Sequence, residues 1–340
     1  MPREDLPSVS ETVPVTIPMT TPSAAPLHMA PVKRRGRRGP LGTVDAVPVL
    51  AAILAGALLL IVVASAAVLI VRMLLFGSSA GAAFLSTFPG TSELPDWVPV
   101  GQPAWVQWQH WLNAFFIVLI IKTGWMVRTQ RKPSAMWQPR SGRGTKISIE
   151  VFVHVFLDIL WLANGVVFWI LLFATGQWAR VVPVSWDVFP NALSAALQYL
   201  SLSWPAEDGW TNYNALQVLA YFVTIFLAAP LAAVSGLRMS PFWPTRAARL
   251  SRVYPVETAR RIHFPVMLYF LLFIAVHLIL VLATGALRNL NHMFWGSDES
   301  GSWAGFWMFL LGIAAIVGGV LALRPFVIQQ LGAVFGKVGR

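Results

Sequence analysis

The stretch Ile262–Gly285, IHFPVMLYFLLFIAVHLILVLATG, is long enough to cross a bilayer and carries two histidines, His263 and His277, fourteen residues apart. At 3.6 residues per turn that interval returns both imidazoles to nearly the same helix face, about 21 Å apart along the axis. An imidazole is costly against lipid, so both point into a bundle and have partners there. Two imidazoles on one face near opposite ends of a spanning helix suit axial ligation of two stacked haems.

Composition then excludes most alternatives. Of 340 residues, 56% are hydrophobic and 11% charged, in long uncharged runs that a soluble fold does not need. The chain has no cysteine, which rules out disulfides, thiolate-held iron–sulfur clusters and covalently attached haem. Haem here has only histidine or methionine to hold it.

Residues 1–45 lack periodicity and end in Lys33, Arg34, Arg35, Arg37 and Arg38, which reads as a disordered cytoplasmic tail with a basic anchor. Six apolar spans follow: Val47–Val71, Trp111–Val127, Ile147–Thr175, Ala215–Leu237, Ile262–Leu287 and Trp303–Leu323. The first is too long for the core of an export signal, despite the arginines before it. Continuous rather than alternating runs exclude a strand barrel. The expectation is an all-α multi-pass bundle, with an additional N-terminal helix over 46–76, a four-helix core over 105–296 and a C-terminal helix over 303–324. Between the third and fourth spans, Trp186–Leu202 reads as a short helix on the membrane surface.

Of the 25 Lys and Arg, 21 fall in the tail, residues 128–146, residues 238–261 and residues 324–340, all on one side of this arrangement. The positive-inside rule puts that side and both termini in the cytoplasm of a bacterial inner membrane. The net charge of +11 is then a consequence of topology, and nucleic acid is excluded as a partner.

His28 in the tail and His292 in an outer loop read as solvated surface. The other four lie in or at spans. Alternating span direction places His110 and His277 near the outer face, and His154 and His263 near the inner one. Gly124, fourteen residues beyond His110, lies on the same face at the inner level, where a porphyrin can lie flat against the backbone. Asp158, one turn beyond His154, is placed to orient that imidazole or take up protons beside a quinone. Lys122 pairs with a haem propionate or snorkels to the headgroups. The competing account of the four histidines is a set of interhelical hydrogen bonds or a proton relay.

The segments QHWLNAFFIVLIIKTG (109–124), HVFLDILWLANGVVFWILL (154–172), YNALQVLAYFVTIFLAAPLAAVSGLRMSP (213–241) and IHFPVMLYFLLFIAVHLILVLATG (262–285) resemble the four core helices of the bacterial cytochrome b561 superfamily. That superfamily includes the b-type cytochrome subunits of nickel–iron hydrogenases and formate dehydrogenases. The likeness covers 105–296 and is greatest to the branch accompanying molybdopterin oxidoreductases. It implies two haem b groups, ligated by His110 with His277 and by His154 with His263. It also implies electron exchange between a quinone pool and a redox partner subunit, with no bond chemistry by this chain alone. The chain departs from the pattern by its first and last helices. Acidic outer loops with Trp97, Trp105, Trp178, Trp186, Trp204 and Trp210 suit docking of an extracytoplasmic molybdoenzyme, or form an ordinary aromatic belt in lipid. Two rival classes are a transporter or proton channel, and a haem-free membrane anchor.

Overall fold

A computed structural model describes residues 46–340, apart from residues 143, 206, 207, 245, 247, 300 and 340. The N-terminal tail, with His28, lies outside the described residues. Internal contacts divide the chain into residues 1–60 and 61–340. In the first unit, 48–60 form the exposed amino-terminal half of helix α1 (Ala46–Phe76). In the second, α1 continues into α2 (Ser79–Thr87), which Ser78 caps by accepting from Gly81 N–H.

Four long helices follow: α3 (Ala104–Thr129), α4 (Ile149–Ala174), α6 (Ala215–Met239) and α8 (Val256–Ala283), with α5 (Val188–Leu200) before α6 and α7 (Ala248–Val253) before α8. Helices α9 (Ala286–Leu290), α10 (Ala304–Ala322) and α11 (Pro325–Phe335) complete the chain. Six of these, α1, α3, α4, α6, α8 and α10, are long and apolar enough to cross a membrane. Their large apolar side chains stay exposed, among them Leu59, Val166, Ile170, Leu272 and Ile279, as expected where lipid rather than protein covers the outer face.

Helix α3 lies along α4, and the second half of α6 along α8. Caps fix where the helices begin. Ser148 accepts from Val151 N–H at the start of α4, and Asn214 and Gln217 form a reciprocal capping box at the start of α6. In α6 the register loosens to a π turn over Val223–Ala228. Pro230 follows it, and a proline inside a helix has no N–H and crowds the carbonyl four residues back.

Two features differ from the sequence expectation. The fifth span ends at Ala283, not Leu287, because Gly285 at φ +136° breaks the helix before α9 restarts it. A small sheet, of order β2 (Ile147–Ser148), β1 (Met136–Pro139), β3 (Gly336–Gly339), joins the loop before α4 to the C-terminus. Trp137 anchors it, stacking on Phe152 at 4.4 Å and donating Nε1–H to the Gly332 carbonyl. Ile149, Val153, Leu157, Leu119 and Ile328 form the buried cluster beside it.

Candidate haem-binding site

Helix α8 presents His263 and His277 into the bundle. His277 faces His110 of α3, with ring centres 6.2 Å apart and planes at 58°. His263 faces His154 of α4 at 6.4 Å and 86°. A metal–imidazole bond is about 2 Å and the ring centre lies about 1 Å beyond the nitrogen, so two imidazoles sharing one metal have centres roughly 6 Å apart. Both pairs fit that spacing, and neither is close enough for a direct bond between rings. Phe270, seven residues from each α8 histidine, is buried midway and meets Trp161 of α4 edge-on.

The surroundings of the two pairs differ. At the His154–His263 pair each Nδ1 has a hydroxyl: Thr123 Oγ1 at 3.0 Å from His154 and Ser235 Oγ at 2.9 Å from His263. Both hydroxyls spend their own proton on a carbonyl one turn back, Leu119 at 2.9 Å and Leu231 at 2.5 Å. Each therefore accepts from Nδ1–H, which fixes that tautomer and leaves Nε2 with a free lone pair. The neighbouring glycines make room for the rings. A Cβ on Gly124 would lie 3.2 Å from His154 Cε1, and one on Gly236 would lie 3.4 Å from His263 Cε1.

The His110–His277 pair has no such support among the described residues. Nδ1 of His110 is buried without a hydrogen-bond partner. His277 is bracketed by rings, stacked on Phe273 at 5.7 Å and edge-on to Tyr221 at 6.2 Å.

Gly124 lies against the His154 imidazole, at the level of that pair. Thr123 rather than Asp158 holds the Nδ1 of His154, and Asp158 Oδ2 lies 3.7 Å from the other ring nitrogen, Nε2. Lys122 is exposed on α3, which suits snorkelling. His110 lies nearly two turns inside α3. His292 is buried at 3% exposure, donating to Asp298 Oδ1 at 2.5 Å and resting on Trp210, so its reading as solvated surface is wrong.

Thr123, Ser235 and Gly236 escaped the sequence reading. Their one signal was a repeated hydroxyl–glycine dipeptide, Thr123-Gly124 and Ser235-Gly236, whose partners lie on other helices. Arg180 lies in the loop after α4, and nothing in the sequence around it signals a special role. It is buried, donating from Nη2 to the carbonyls of Pro99 at 2.7 Å and Trp210 at 3.2 Å, with Nε and Nη1 unpartnered. Burial pulls its guanidinium below the ordinary value, offset in part by Tyr213 and Asp208.

An all-α, multi-pass membrane bundle that encloses facing imidazoles is the class of protein the fold defines. Residues 101–296 match the family model for prokaryotic cytochrome b561, more than half of the chain, and the chain belongs to that family. No curated protein and no solved structure matches it. Family and fold together make this a b-type haem electron-transfer protein of a prokaryotic inner membrane.

Proposed function

We propose that the chain is a di-haem cytochrome b, carrying one haem between His110 and His277 and the other between His154 and His263. The observation that carries this reading is the pair of ring spacings, 6.2 and 6.4 Å, each suited to one metal between two imidazoles. Haem supplies a reversible one-electron centre when bound. The residues supply the rest. Thr123 and Ser235 aim two of the four Nε2 atoms into the bundle. Gly124 and Gly236 let those rings pack against helix backbone. Phe270 and Trp161 fill the space between the pairs with aromatic carbon, which excludes water from the bundle centre.

The two sites together span the bilayer, the His154–His263 pair on the cytoplasmic side with both termini, by the distribution of Lys and Arg. The protein passes electrons between a quinone and a partner oxidoreductase, of the molybdopterin class by its resemblance. Docking of that partner falls to the acidic, tryptophan-rich outer loops. A proton channel or a haem-free anchor built on the same histidines is colourless. A dithionite-reduced minus oxidised spectrum of the purified protein, with haem counted per chain, separates these accounts. The proposal expects a b-type α-band and two haems. An absent band, or one haem per chain, contradicts it.

A further inference from the structure

The two imidazole pairs carry unequal hydrogen bonding, and the inequality has a redox meaning that rests on the di-haem reading. An Nδ1–H that donates to an acceptor pushes electron density onto the ring, making Nε2 a stronger donor to iron and favouring the ferric state. Both rings of the His154–His263 pair donate in this way. Each hydroxyl is itself polarised by its bond to a helix carbonyl, at 2.9 Å for Thr123 and 2.5 Å for Ser235. In the other pair, among the described residues, His110 Nδ1 is buried without an acceptor, and His277 packs against the rings of Phe273 and Tyr221.

The charge distribution runs in the same direction. Tyr221, against His277, packs on Tyr213 at 5.1 Å, and the buried cation of Arg180 acts electrostatically on Tyr213. A buried positive charge favours the ferrous state of the nearer iron. The cations nearest in sequence to His263, Arg260 and Arg261, are exposed, where solvent and headgroups screen them. We propose that Thr123 and Ser235 are positioning residues that make the haem of the His154–His263 pair the lower-potential one of the two.

Potentiometric titration of the purified full-length chain, followed at the α-band, tests this. Thr123→Val and Ser235→Ala each raise one of two midpoint potentials, while Thr123→Ser and Ser235→Thr, which keep the hydroxyl, leave it in place. The transition that moves is the lower one, and it is the one missing from His154→Ala. The unmoved transition reports that the bundle is intact. Should Thr123→Val shed its haem, through the roughly 10- to 100-fold loss of affinity typical when such a partner is removed, Ser235→Ala carries the measurement. Asp158 is left unchanged throughout, since it lies beside the same pair. Hydroxyl variants that titrate like wild type overturn the inference, as does a shift confined to the transition missing from His110→Ala. Either result leaves the di-haem reading standing, whereas a wild-type chain without haem removes that reading itself.

Discussion

At the scale of single residues, the glycines beside His154 and His263 carry as much of the geometry as the histidines. A Cβ on Gly124 would come within 3.2 Å of His154 Cε1, tighter than ordinary van der Waals contact. Gly124→Val therefore pushes that ring from its place, and the expected outcome is loss of one haem per chain with the second retained. Counting haem against protein checks it. Gly165, which has open space around the same point, is the control, and Gly165→Val keeps both haems. The four histidines were legible in the sequence because a fourteen-residue interval and alternating span direction are properties of single helices and their order. Thr123 and Ser235 were not legible, because what makes them special is a nitrogen on a different helix.

At the scale of elements, spans read well and their junctions did not. Hydropathy locates a helix core, but the ends depend on caps, glycine breaks and loop contacts that mean hydropathy ignores. The junction after α9 shows this. Asn291 is buried, donating to the carbonyls of Glu299 at 3.1 Å and Ser302 at 2.6 Å, and accepting from Gly305 N–H at 2.8 Å. One side chain thus fastens the loop to the start of α10. Asn291→Ala strands these groups at about 1–3 kcal/mol for each one left buried and unpaired, and a thermal melt in detergent should show a clearly lowered Tm. The sheet at the other end was invisible in sequence because its strands are two to four residues long and β3 pairs with β1 over a separation of about two hundred residues.

At the scale of the whole molecule, the claim is about sides. The chain contains no cysteine, so a single introduced thiol is the only one a maleimide can find. With the orientation proposed here, Glu299→Cys is labelled by a membrane-impermeant maleimide in intact spheroplasts, and Arg140→Cys only after the membrane is opened. The reverse pattern inverts the assignment of sides, while leaving the pairing of the histidines untouched, because pairing depends on relative depth alone.

The central claim is that four imidazoles from three helices serve two irons. Its most direct measurement is the difference spectrum, with haem quantified, of the four single variants His110→Ala, His277→Ala, His154→Ala and His263→Ala. The account predicts that the first two lose the same spectral component and keep the other, and that the last two do the converse. A variant of His110 that matches His263 rather than His277, or a set in which any variant keeps both components, contradicts it.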